Sequence, residues 1–200
     1  MLVVSDTSVL LNLCRVSAEG LLPELFREVW IPPAVAAEFS RLAGSRPRFR
    51  GLVLPNWVRV SAAVQVVEEV RACPDLDSGE TEALSLALEL HADAVLMDEA
   101  AGRRAATVLK VTSVGVAGIL IRARSRGLIP AVRPLLERLR VEAGFWLHPR
   151  LRPKSSGSQA RRRSGSVADI FCKPERSAVK ADVVSEIASA NCGTSGFARL

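Results

Sequence analysis

The chain has 200 residues, 48% apolar and 24% charged, enough for a globular core and incompatible with a wholly disordered or fibrous protein. The net charge of +6 is uneven: residues 1–150 hold 18 Lys/Arg against 17 Asp/Glu, while residues 151–200 hold 9 against 4. The longest uncharged apolar stretch, residues 111–121, is too short to span a bilayer, and Asp6 interrupts an N-terminal run with no basic segment ahead of it; the expectation is a cytoplasmic protein with no membrane partner.

A short strand, Leu2-Val3-Val4, ends at Asp6, and a helix follows with Val9, Leu10 and Leu13 on one face. The pattern then predicts a helix over 18–26, a strand over 28–31 and, because proline suits a first turn, a helix over 33–42. Residues 44–55, rich in Arg, Pro and Gly, read as a loop. A strand over 57–60, a helix over 62–71 and a turn at 74–77 lead into a helix over 78–91. An apolar strand over 94–97 ends at Asp98; a helix to about 109, a strand over 111–114 and helices over 116–125 and 130–140 follow, and Phe145-Trp146-Leu147 closes the core. Strands alternating with helices indicate an α/β three-layer sandwich around a mostly parallel sheet.

From Pro153 the pattern stops. Residues 154–166 are dominated by Ser, Gly and Arg, a linker composition, and 178–190 hold a weak helix at most. The expected organisation is a core domain over 1–150 and a basic, disordered tail over 151–200. The tail reads either as a nucleic-acid arm or as a functionless read-through end; its abrupt change of composition favours the second. No spacing among Cys14, Cys73, Cys172 and Cys192 fits a zinc or redox pair, so they read as free thiols, and His91 and His148 receive no role.

The chemistry-bearing residues are acids. In an open parallel sheet, ligands bind beyond the carboxyl ends of the strands, where the strand order reverses. Two strands here end at an acid, Asp6 and Asp98; if the strands are neighbours the carboxylates converge, and otherwise each caps its following helix. Glu80 heads the inward stripe Ala83, Leu84, Ala87 and Leu88, but Asp77-x-x-Glu80 equally spells a capping box. Glu38 borders the stripe Val35, Phe39 and Leu42. Glu82, Glu89, Glu19, Glu24, Glu68, Glu69, Glu137 and Glu142 read as solvated. Four converging carboxylates without cations repel one another, so their pKa values rise or they take a hard cation such as Mg²⁺ or Mn²⁺. Such a site suits hydrolysis of a nucleic-acid phosphodiester.

The segments VVSDTSVLLNL, VWIPPAVAAEF, LDSGETEALSLALEL, AVLMDEAAGRRAA and GILIRARSRGLIPAVRPLLERL, in this order over about residues 1–148, resemble PIN-domain proteins, in the branch allied to VapC-type toxins. The resemblance implies a PIN fold, a Mg²⁺- or Mn²⁺-dependent endoribonuclease acting on RNA, and frequently a homodimer held inactive by a cognate antitoxin protein. It carries the family's acidic positions onto Asp6, Glu38, Glu80 and Asp98, with Glu99 assisting through a bound water. Ser8 matches the hydroxyl after the first acid, though it also suits a helix cap; Arg103 matches a recurrent Arg that holds a phosphate or the acids, or forms an exposed salt bridge. Gly115-Val116 departs from the branch's usual Gly-Thr, with Thr112 or Ser113 as possible substitutes.

The first-strand sequence Asp6-Thr7-Ser8 lacks the Asp-x-Asp of haloacid-dehalogenase phosphotransferases, and Lys110 precedes its strand, unlike the lysine of a receiver domain. The alternative from another class is a PIN-like module that binds RNA or protein without cutting. For substrate, Arg46, Arg48 and Arg50 in the loop can follow a phosphate backbone, as can at most two of Arg122, Arg124 and Arg126.

Overall fold

A computed structural model describes residues 1–73 and 75–145. The expectations for Trp146, Leu147, His148, Cys172, Cys192 and the 151–200 tail fall outside the described residues.

Five strands form one all-parallel sheet: β1 (Leu2–Ser5), β2 (Glu28–Ile31), β3 (Arg59–Val60), β4 (Ala94–Leu96) and β5 (Ser113–Val114), in spatial order β3-β2-β1-β4-β5. The chain lays β2 and β3 to one side of β1 and β4 and β5 to the other, so the order reverses between β1 and β4. β1 is the central strand, and Val3 and Val4 point to opposite faces and are both fully buried.

Eight α-helices cover the described sheet: α1 (Thr7–Arg15), α2 (Leu21–Leu25), α3 (Pro33–Ser45), α4 (Glu68–Arg71), α5 (Ser78–Glu89), α6 (Ala100–Val108), α7 (Val116–Ser125) and α8 (Arg133–Arg138). They divide into two layers. Val3, Ala94 and Leu96 pack with apolar residues of α1, α2, α3 and α7, whereas Val4, Val95 and Met97 pack with those of α4, α5 and α6. The three-layer α/β sandwich is therefore present, with a sheet that is wholly rather than mostly parallel.

Several predicted elements differ: the helix over 18–26 shortens to Leu21–Leu25, the strand over 111–114 to Ser113–Val114, and the loop over 44–55 holds the end of α3 and a 3-10 turn at Pro47–Phe49. The helix expected over 62–71 is confined to Glu68–Arg71. Val67 is extended, and the amide of Val64 goes to Glu89 Oε2 at 2.7 Å instead of to a helical turn. The strand over 57–60 shortens to an edge pair, because β3 has only β2 to bond with. The helix over 130–140 starts at Arg133, and beyond Arg138 it widens into a π turn over Leu139–Ala143.

Side chains assigned to solvent or to ligands also differ. Glu82 Oε2 accepts the Ala34 amide at 3.1 Å, supplying the N-terminus of α3 with the acceptor that its flanking prolines lack. Glu19 is half-buried, and its Oε2 has no hydrogen-bond partner among the described residues. Glu142 is bonded to Arg138 at 2.7 Å. Arg48 donates to the Ala143 carbonyl at 2.9 Å, Arg126 to the Leu25 carbonyl at 3.3 Å, and Arg122 lies 5.6 Å over the Phe26 ring. These three arginines fasten one element to another. Cys14 and Cys73 are free thiols.

Leu10 is fully buried under the sheet, whereas Val64 is 88% exposed. Leu10→Ala is expected to cost about 2–5 kcal/mol in urea denaturation, and Val64→Ala less than about 0.5 kcal/mol. Equal costs would mean that α1 does not close the core.

Candidate active site

The strand switch brings two acids together. β1 and β4 run side by side in register Val4↔Val95 and Ser5↔Leu96, and the Asp6 amide donates to the Leu96 carbonyl at 2.9 Å. Asp6 and Asp98 thus emerge at the carboxyl ends of neighbouring strands, at the place where a doubly wound sheet opens a crevice.

Each acid is held by a donor from a nearby helix start. Asp6, 4% exposed, is the N-cap of α1 and accepts at Oδ2 from the Ser8 hydroxyl at 2.8 Å and the Ser8 amide at 3.3 Å. Capping and site membership coincide there. Asp98 does not cap the helix that follows it. Its Oδ1 accepts the Val116 amide of α7 at 3.1 Å, and its Oδ2 is buried with no hydrogen-bond partner among the described residues. Glycine at position 115 leaves room for the Oδ1 contact, because a Cβ there would force Asp98 Oδ1 to shift. The Val116 side chain is fully buried in the core, so the missing Thr hydroxyl leaves the amide contact intact.

Glu38 comes from α3. Its Oε2 accepts from the Thr7 hydroxyl at 2.8 Å and its Oε1 pairs with Arg41 at 3.2 Å, with the side chain 31% exposed. Glu80 is 2% exposed and satisfies both readings of its spacing. It closes the capping box with Asp77, taking the Asp77 amide at Oε2 (3.1 Å), and its Oε1 takes the Gly102 amide of α6, also at 3.1 Å. Glu99 is exposed at the start of α6 and makes no side-chain cap. Arg103, one turn further on, is half-buried, and its charge lowers the Asp98 pKa; it lies at the acids and, among the described residues, forms no exposed salt bridge.

The electrostatics tie these groups into one cup. Burial first, then neighbouring charge, lifts four carboxyls: Asp6 against Asp77; Glu80 against Asp77, Glu99 and Asp6; Glu99 against Asp6, Asp77 and Glu38; and Asp98, pushed up to about 6, against Asp6 and Glu99. Two contributors were missed in the sequence. Asp77 read only as a turn and cap, although the same LDSGE segment carries it to the rim. Thr7 sits inside the DTS segment but was passed over for Ser8. Neither Thr112 nor Ser113 bonds to the acids among the described residues.

The donor set is all oxygen, it is short of positive charge, and it includes an orphaned buried oxygen at Asp98. In chemistry it fits a hard divalent cation. Among the described residues, however, no three His, Cys, Asp or Glu groups stand close enough to grip an ion as placed, so binding requires the carboxylates to draw together.

A family model described as a PIN domain matches residues 2–156. The chain belongs to the PIN-domain family, whose fold is that of nucleases. No curated protein and no solved structure matches the chain.

The raised pKa of Asp98 has a defined sign. A carboxyl whose folded value lies above its unfolded one favours folding when protonated; that contribution is complete below 3.8 and is lost as pH rises through about 6. In chelator, Asp98→Asn should therefore stabilise the protein by about 3 kcal/mol at pH 7 and by almost nothing below pH 4. A wild-type-minus-variant Tm difference that does not change with pH would show that Asp98 is neither buried nor crowded.

Proposed function

We propose that this protein is a Mg²⁺- or Mn²⁺-dependent endoribonuclease and the toxin of a toxin–antitoxin pair. The supporting observation is the meeting of Asp6 and Asp98 at the switch between β1 and β4, among carboxylates whose mutual repulsion calls for a cation. A bound divalent ion supplies Lewis-acid charge and activation of water for attack on a phosphodiester.

The chain's own groups have separable tasks. Once drawn together, Asp6, Asp98, Glu38 and Glu80 would hold the ion, and Glu99 would assist through water. Ser8 fixes the Asp6 carboxylate, Thr7 fixes Glu38, and the Val116 amide fixes Asp98, so the negative charge is oriented before substrate arrives. The Asp98 carboxyl, pushed up to about 6 by burial, takes up a proton below that pH when no ion is bound. Arg103 offsets part of the charge beside Asp98 and is available to a phosphate oxygen.

The cognate antitoxin, the homodimer and the cytoplasmic location belong to the same proposal. No described helix is long and apolar enough to cross a membrane.

Purified full-length protein with Mn²⁺ should cut RNA, chelator should stop it, and Asp6→Asn should reduce cleavage to background with circular dichroism unchanged. RNA binding without metal-dependent cleavage would replace this reading with a non-catalytic PIN-like module. A small DNA-binding reading frame immediately upstream of the gene is the expected genetic counterpart of the toxin role.

A further inference from the structure

We propose that the open groove along the second half of α3 is the track of the RNA strand as it leaves the acidic cup; this rests on the ribonuclease reading and adds the path of its substrate. The groove has a volume of about 580 Å³ and is lined by Phe39, Ala43, Gly44, Leu52, Leu54 and Arg50. Val53, also on its wall, is 80% exposed, a large apolar side chain left in water.

Charge sets the kind of occupant. Residues 39–54 contain four arginines and no Asp or Glu. Arg48 is committed to the Ala143 carbonyl, but Arg46 and Arg50 are exposed, and among the described residues their guanidinium groups make no hydrogen bond or ion pair. Among the described residues Arg41 pairs only with Glu38, at 3.2 Å, with its own side chain 64% exposed. The arginines of α7 differ, since Arg122 and Arg126 are spent on holding α7 to its neighbours.

Continuity with the cup selects RNA over an acidic peptide. Glu38 and Arg41 are one turn apart on α3, and Arg46 ends that helix about 12 Å from Glu38 at 1.5 Å per residue. A phosphate at the cup and a phosphate at the helix end can therefore belong to one strand. Phosphates would meet the arginines while base faces lie on the aliphatic wall. Phe39 is only 1% exposed and offers no face for stacking, so the bases would rest on the aliphatic side chains of the wall.

Gly44 allows a clean test, because a Cβ there meets nothing within 4 Å and the residue is helical. Fluorescein-labelled single-stranded RNA is titrated with full-length protein in metal-free buffer, and hydrolysis of bis(4-nitrophenyl) phosphate with Mn²⁺ is measured on the same variants. Gly44→Glu and the double variant Arg46→Ala/Arg50→Ala should each weaken RNA binding about tenfold or more. The double variant should also flatten the log K versus log salt slope by about 1.4, two single-strand phosphate contacts. Ester hydrolysis and Tm should stay at wild-type values. Unchanged RNA affinity in both variants overturns the track, as does a Gly44→Glu that loses an acidic protein ligand while keeping RNA. If the wild type hydrolyses neither ester nor RNA, the ribonuclease reading fails, and the affinities still decide whether RNA uses the groove.

Discussion

The parallel pairing of β1 with β4 is the constraint on which the rest depends. It is built from ordinary material: Val3, Val4, Ala94, Val95 and Leu96 are fully buried and favour a sheet covered on both faces. Its consequence is electrostatic. Backbone hydrogen bonding fixes Asp6 next to the end of β4, and the carboxylate cannot retreat to water without breaking the centre of the sheet. Core packing thereby offsets the cost of burying carboxylates beside one another, a cost reflected in the raised Asp98 pKa, which burial lifts first and the charges of Asp6 and Glu99 lift further. This is the pattern expected where stability is given up at a functional site.

The acids are not held by dedicated scaffolding. Asp6 caps α1, Glu80 closes the box that starts α5 and ties in α6, and Asp98 receives the first amide of α7. Helix starts present unpaired N–H groups and a partial positive charge, so each is a ready partner for a carboxylate. Three helix starts aimed at one crevice supply orientation and partial neutralisation together. A capping carboxylate keeps capacity for a further partner because it has more lone pairs than a cap consumes.

The cations are divided by task. Arg48, Arg122, Arg126 and Arg138 reach backbone carbonyls or rings on distant elements and act as fasteners. The guanidinium suits this because its planar fork serves several acceptors at once. Arg41, Arg46 and Arg50 escape that duty, and they lie on the segment that runs from the acidic cup.

Much of the fold was legible in the sequence because its causes are local. Apolar runs ending at Asp6 and Asp98, prolines at the head of α3 and the Asp77–Glu80 box specify strands, a helix start and a cap within a few residues. The acids were identifiable for the same reason. Other features were not local. Glu82 looked solvated until α5 packed against α3 and gave it the Ala34 amide, and the helix over 62–71 lost its first turns partly because Glu89 took the Val64 amide. Thr7 and Asp77 gained a place at the site only through contact with residues far along the chain. Composition and periodicity determined which segments are strands or helices and where acids stand on them. The order of the strands, decided by tertiary packing, determined which acids meet and which arginines stay free, because like charges and hydrogen-bond partners distant in sequence become neighbours only when the sheet is assembled.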